Sequence, residues 1–258
     1  MNKLEDEISD VLNKAIRGLG KSFHEVAQAV GVDEASLQHV IDGASDAVAL
    51  RKLAAVLNLD ADALLGLLTY QPQTIEVAGV KRLIMPYRAW SVNAWLLEMD
   101  EVSLLFDTGW NPTDILSQLD GIRPNAIFLT HGHEDHVGGV ELLQEKGMKV
   151  ISESEALQKG EYQFGNIKIQ VIDLSGHCVP TASYLITGFE KSLWVVGDAI
   201  FAGSMGGCKS PENFTMAVST LRNGFVQLND DCLILPGHGP RTSVSAEKTS
   251  NPFRKYFS

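Results

Sequence analysis

The sequence predicts a layered α/β domain preceded by a small all-α bundle, two units within 258 residues. Residues 1–70 contain no proline and repeat their apolar side chains at helical spacing. From Thr74 onward, short runs rich in β-branched and aromatic residues alternate with helical stretches and glycine turns, the pattern of a layered α/β fold. Gln71-Pro72-Gln73 reads as a linker between them. The expected division is therefore a helical domain over residues 1–70 and an α/β domain over residues 71–258, in keeping with one or two domains for this length.

In the first segment, Ile8, Val11, Leu12, Ala15 and Ile16 form one apolar helical face. Further helices are expected over Phe23–Val30, Glu34–Ile41, Leu50–Leu57 and Asp62–Leu68, with Asp60 placed to cap the last. Breaks fall at Gly18 to Gly20, at Gly31 and at Asp42-Gly43. In the second segment, strands are expected at Thr74–Val77, Lys81–Met85, Val92–Glu98, Ser103–Asp107 and Ala126–Thr130. More follow at Lys149–Ser152, Ile167–Asp173, Ser183–Thr187, Ser192–Val196 and Cys232–Leu235. Helices are expected at Pro112–Leu119, Val137–Glu145, Glu212–Leu228 and Ser245–Thr249.

Composition excludes several classes. Lys and Arg number 21 against 32 Asp and Glu, a formal charge of −11. Such a surface repels nucleic-acid phosphates and anionic membranes. No apolar run approaches the ~20 residues of a membrane helix. The start, MNKLEDEISD, lacks the basic and apolar regions of a signal peptide. Cys178, Cys208 and Cys232 form no CxxC pair, so a cytoplasmic protein with buried thiols is expected.

The chemistry concentrates in IFLTHGHEDHVGG, Ile127 to Gly139. An apolar strand runs into Thr130, then His131, His133, Asp135 and His136 follow within six residues. Neutral imidazole and carboxylate are ligands for Zn²⁺ and related divalent ions. His131 and His133 alternate and can reach one metal, leaving Asp135 and His136 to turn towards a second. Gly138 and Gly139 are expected to pass close by at unusual backbone angles. Three more candidates, His177, Asp198 and His238, each follow an expected strand and each is preceded by glycine. His24 and His39 fall in the helical segment.

The HxHxDH motif with later His, Asp and His at these intervals resembles the metallo-β-lactamase superfamily, from about Thr74 to Ser258. That resemblance implies an αββα sandwich of two packed sheets with helices outside. It implies that His131, His133 and His177 hold one metal, that Asp135, His136 and His238 hold the other, and that Asp198 bridges both opposite a water or hydroxide. Zinc is the expected ion, with iron or manganese as alternatives. A shared hydroxide would attack a carbonyl, with Asp135 orienting the nucleophile. Asp107, in LLFDTG, matches a recurring strand-end Asp of the family. It either positions the loop or a ligand imidazole, or forms an Asx turn before Gly109.

Two stretches narrow the branch. GDAIFAGSMGG, Gly197 to Gly207, resembles the GDTLFxGxxGR segment of glyoxalase II-like hydrolases, and PGHGPRTSVSAEKTSNPF, Pro236 to Phe253, resembles the PGHGPxTTVGxExxxNPF ending of their short bacterial group. The implied reaction is hydrolysis of a small thioester or ester, as by a hydroxyacylglutathione hydrolase. A mononuclear-iron persulfide dioxygenase and a lactonase are the alternatives on the same fold. Gly207 stands where the family pattern has Arg, Lys209 lies nearby out of register, and a C-terminal glutathione-binding helical domain is not expected after Phe253.

FHEVAQAVGVDEASLQHVIDG, Phe23 to Gly43, resembles the helix-turn-helix core of Cro/phage-repressor domains through Ala27, Gly31, Leu37 and Val40. A DNA-binding regulator with a metal-sensing domain is thus a further alternative. Its reading positions would be Asp33, Glu34, Gln38 and His39, which carry no cation, and residues 1–70 hold 6 basic and 11 acidic residues. Charge therefore argues against a nucleic-acid partner. A dimerisation module, giving a homodimer, or a lid beside the metal cleft is the expected role, with a small molecule as substrate.

Overall fold

A computed structural model describes residues 3–43, 46–73 and 75–257. Five helices come first: α1 (Ile8–Gly18), α2 (Phe23–Val30), α3 (Glu34–Gly43), α4 (Ala47–Val56) and α5 (Ala61–Gly66), with a 3-10 turn at Leu67–Thr69. Their ends follow local chemistry. Ser22 and Glu25 form a reciprocal capping box on α2, and Gly31 ends that helix at φ 82°. Asp33, Glu34, Gln38 and His39 are exposed on or beside α3. Asp60 caps α5 by accepting from the Ala63 amide at 2.9 Å.

Two sheets follow. The first contains β1 (Val80–Tyr87), β2 (Trp90–Met99), β3 (Val102–Phe106), β4 (Ala126–Phe128) and β5 (Val150–Ile151), in that spatial order. The second contains β6 (Glu161–Phe164), β7 (Ile167–Asp173), β8 (Ala182–Thr187), β9 (Leu193–Gly197), β12 (Leu233–Pro236) and β13 (Thr242–Ser243), ordered β13-β12-β9-β8-β7-β6. A ribbon of β10 (Ile200–Phe201) and β11 (Ser204–Met205) stands apart. The later helices are α6 (Pro112–Leu119), α7 (Glu134–Val137), α8 (Val140–Glu145), α9 (Glu153–Lys159), α10 (Pro211–Phe225), α11 (Val244–Ser250) and α12 (Arg254–Phe257).

Strand alternation assigns the layers. Trp95, Leu97, Phe106 and Phe128 meet Ile169, Tyr184, Val195 and Leu235 between the sheets. Ala94, Leu96, Leu105 and Ile127 point the other way, onto Ile115, Leu119 and Leu143 of α6 and α8. Trp194, Val196 and Ile234 face outward from the second sheet into a third cluster. Strands covered on both faces lose the apolar-polar alternation, and β2 accordingly reads as six consecutive buried residues. The result is helices, sheet, sheet and helices.

The third cluster joins both segments. Leu12, Ala15, Leu37, Leu53 and Leu64 from the opening helices share it with Phe214, Leu221, Phe225, Phe253 and Phe257 from α10 and the C-terminal region. Polar ties reinforce it. Arg254 pairs with Asp60 at 2.7 Å, Lys255 reaches the Leu59 carbonyl at 2.7 Å, and the Tyr256 hydroxyl donates to the Leu57 carbonyl at 2.7 Å. Burial alone would raise the Asp60 pKa, but the Ala63 amide and Arg254 outweigh it and hold it below its ordinary value. Such a carboxylate contributes stability above the unfolded value of about 3.9 and loses that contribution as pH falls through the folded one. Asp60→Ala is therefore expected to cost about 1 kcal/mol at pH 7, with the gap from wild type shrinking below pH ~4; urea unfolding at both pH values checks it.

Several expectations are adjusted. Thr74 lies outside the described residues, and residues 75–77 form no strand. The helix expected over Val137–Glu145 is two, α7 and α8, separated at Gly138 and Gly139. Those glycines have ordinary φ values of −61° and −86°, not unusual ones. Gly138 is needed instead for close approach, since a Cβ there would lie 2.0 Å from the Trp110 carbonyl oxygen. Cys208 and Cys232 are buried but Cys178 is only half-buried; burial pushes the two buried thiols up to about 11 and about 12. Among the described residues no helix is long and apolar enough to cross a membrane.

Candidate metal centre

Strand polarity brings the candidate ligands together. β3 and β4 run parallel in one sheet, and β9 and β12 run parallel in the other. Their C-terminal ends open on one edge of the sandwich, where loops can converge without disturbing the ladders. Asp107 follows β3, His131 follows β4, Asp198 follows β9 and His238 follows β12. His133 is the N-cap of α7, and the first turn of that helix carries Asp135 and His136. His177 comes in on the loop after β7.

Two donor sets result. One atom each from His131, His133, His177 and Asp198 lie within 4.8 Å of one another, as do atoms from Asp135, His136 and His238. All seven predicted ligand residues are present in one or the other. His24 and His39 are not, and His24 instead pairs with Glu34 at the surface. Asp198 stands between the sets. Its Oδ2 is 3.6 Å from His177 Nε2, 3.9 Å from His131 Nε2 and 3.4 Å from His238 Nε2. Its Oδ1 is 3.2 Å from His136 Nε2. Asp135 Oδ2 lies 3.2 Å from His238 Nε2 and 3.8 Å from His136 Nε2.

The rings are held from behind. His131 Nδ1 lies 3.0 Å from the Thr130 hydroxyl, His177 Nδ1 2.6 Å from the Gly207 carbonyl, and His238 Nδ1 2.8 Å from the Ser91 carbonyl. His136 Nδ1 lies 2.8 Å from Asp107 Oδ2. Such partners fix ring orientation and leave the opposite nitrogen to face a ligand. Asp107 is itself fixed by the Thr130 amide and hydroxyl, each at 2.8 Å, and sits at φ 60°. Its carboxylate hydrogen bonds therefore go to Thr130 and His136, not to the turn at Gly109. Sequence reasoning reached Asp107 through its strand-end position; nothing local announced the Gly207 and Ser91 carbonyls.

Electrostatics divides the cleft. Burial holds His131 well below its ordinary value, and burial also lowers His133 and His177. These three imidazoles are neutral and available as ligands. In the other half burial opposes protonation, but Asp198 and Asp107 raise His136 to about 10, and Asp198 and Asp135 raise His238 to about 11. Burial would raise Asp198, yet His238 and His136 pull it well below the carboxylate range. The field that attracts a proton there also attracts a divalent cation. His136 Nε2 and Asp198 Oδ1 are buried 3.2 Å from each other without forming a hydrogen bond, the relation expected of two donors turned towards a common ion. Nitrogen and oxygen donors in this arrangement suit divalent ions of the zinc, iron or manganese kind.

Residues 87–168 match the family model for the metallo-beta-lactamase superfamily. The hydroxyacylglutathione hydrolase GloC of Haemophilus influenzae is 26% identical over 205 residues, spanning 66% of this chain and 96% of that protein. The probable metallo-hydrolase YqgX of Bacillus subtilis is 27% identical over 207 residues, spanning 67% of this chain and 97% of that protein. The crystal structure of the BLEG-1 B3 metallo-beta-lactamase aligns with a TM-score of 0.56 at 21% identity, over 68% of this chain and 99% of that one. The paired sheets with their donor-lined edge and these likenesses point the same way: the α/β part of this chain is similar to the metallo-beta-lactamase superfamily, whose family model matches residues 87–168.

Proposed function

We propose that this protein is a metal-dependent hydrolase of small thioesters or esters, with hydroxyacylglutathione hydrolase-like chemistry. The observation that supports it most is the pair of donor sets with Asp198 within 3.4 Å of His136 and His238 as well as in the first set. His131, His133 and His177 would hold one ion, Asp135, His136 and His238 the other, with Asp198 common to both and zinc the ion proposed. When bound, such a pair supplies Lewis-acid polarisation of a carbonyl and water of lowered pKa. The chain's residues do the rest. His238 and His136 keep Asp135 ionised against the opposing effect of burial, so its carboxylate would be free to accept a hydrogen bond from a water beside the donor sets. Trp90, 57% exposed and lining the cleft with Tyr87, offers apolar surface to an acyl group.

Metal analysis combined with a panel of thioester, lactone and persulfide substrates tests this reading. About two divalent ions per chain and thioester turnover are expected. A single iron per chain, with oxygen consumed on glutathione persulfide, would refute it.

A further inference from the structure

We propose that helix α1 of the opening bundle forms the far wall of the substrate cleft and, with the Gly207 loop, an oxyanion-binding subsite for the non-reacting tail of the substrate. This rests on the hydrolase reading above and adds the class of thioester or ester taken, one whose tail carries carboxylate or phosphate. Two cavities carry the inference. One, about 290 Å³, lies at the second donor set, bounded by Asp135 and His238 on one side and by Glu5, Asp6, Asp10 and Lys14 on the other. The second, about 510 Å³, is lined by Asp10, Asn13, Lys14, Arg17, Lys21 and Gly207. Asp10 and Lys14 border both, so a molecule reacting at the first can extend into the second.

The second cavity is cationic in a chain of net charge −11. Lys14 is its hinge. Its ammonium pairs with Asp6, donates to the Met205 carbonyl at 3.0 Å and sits 5.0 Å from the Phe201 ring centre. Its stem covers Gly207, where a Cβ would lie 3.6 Å from Lys14 Cε. Lys14 is thus committed to Asp6, and Arg17 and Lys21 supply the unspent charge. Both are exposed, and neither forms an ion pair among the described residues. Lys209, two residues after Gly207, is also exposed and acts electrostatically on His133. The Gly207 carbonyl holds His177, so the subsite begins directly behind the first donor set. The wall is rigid, because Val11, Leu12 and Ala15 on the opposite face of α1 are fully buried. Cations around a concavity that opens on a reacting centre concentrate anionic substrates there.

The test uses the full chain and an Arg17→Gln/Lys21→Gln double variant, both positions being exposed. Steady-state kinetics are measured on lactoyl thioesters of glutathione (carboxylate tail), coenzyme A (phosphate tail) and mercaptoethanol (neutral). Titration calorimetry with S-hexylglutathione, which is not hydrolysed, runs alongside. In the double variant KM for an anionic-tailed thioester is expected to rise about tenfold, with kcat unchanged and the neutral substrate unaffected; Kd for S-hexylglutathione rises in step. A Lys21→Arg variant retains wild-type values. Whichever anionic tail has the lower wild-type KM identifies the source of the oxyanion. Equal shifts on all three thioesters, or no shift on any, overturn the subsite. If wild type hydrolyses none of them, the hydrolase reading fails separately, and calorimetry with S-hexylglutathione and with coenzyme A still decides: binding of either that weakens in the double variant supports the subsite, and no binding of either to wild type overturns it.

Discussion

Replacing Asp198 by asparagine is expected to lower hydrolysis by a factor on the order of 10³ or more and to reduce bound metal to fewer than two ions per chain. The carboxylate spans both donor sets. Oδ2 faces His131, His177 and His238 at 3.4–3.9 Å, and Oδ1 faces His136 at 3.2 Å. Asparagine keeps the shape but turns one oxygen into an N–H donor with no lone pair to offer, and it removes the negative charge that the buried imidazoles surround. Asp107→Asn is a graded comparison. Asp107 touches His136 only through Nδ1, so its loss misorients one ring, and a drop of roughly 10–100-fold in metal affinity or activity is expected. Metal content by mass spectrometry, read with kcat/KM, separates the two. Full metal occupancy in Asp198→Asn would show that this carboxylate is not shared.

Phe214→Ala is expected to destabilise the whole chain by about 3–5 kcal/mol without splitting its unfolding. Phe214 is 5% exposed, and its ring lies 5.3 Å from that of Tyr256 and 6.4 Å from that of Phe253. It also fills the space over Gly18 of α1, where a Cβ would come within 2.4 Å of the ring. Truncation would leave a cavity between the opening helices and the outer face of the second sheet, where neither side can collapse freely. The four tryptophans, at 90, 95, 110 and 194, all lie in the sandwich, so fluorescence follows that part and, through Trp194, the cluster it shares with the opening helices, while far-UV circular dichroism also follows α1–α5 themselves. Coincident urea transitions by both probes, shifted together in the variant, are expected of one cooperative core. Two separated transitions would mean that the opening helices fold independently of the sandwich.

Much of the site was legible because its chemistry is written locally. His131, His133, Asp135 and His136 are adjacent in sequence, and His177, Asp198 and His238 each follow a strand and a glycine. Long strands with many β-branched residues, such as Ile167–Asp173, were equally plain. Three of the two-residue strands, β10, β11 and β13, are too short to show a period. Neighbouring turns obscured β6, and the brief helices α9 and α12 gave little periodic signal. What could not be read was long-range. The balance of −5 over residues 1–70 hides the run Lys14, Arg17, Lys21 on and after one helix. No local signal says that Glu5 and Lys14 border the same cavities as His238 and Gly207. That placement depends on an apolar match between α1 and α10, about 200 positions apart, and summed charge is blind to it.

The bonds from Arg254, Lys255 and Tyr256 back to Asp60, Leu59 and Leu57 cross 194, 196 and 199 positions, and this gives the chain a timetable. At about 5–20 residues per second, roughly ten to forty seconds of synthesis separate the two sides. Throughout that interval α1–α5 have left the ribosome with the apolar face that α10 and α12 will cover still wet. A chain that stops before residue 254 is therefore expected to keep part of that apolar face exposed. Helices α1–α5, made before the residues that cover them, are enclosed only when α10 and α12 arrive.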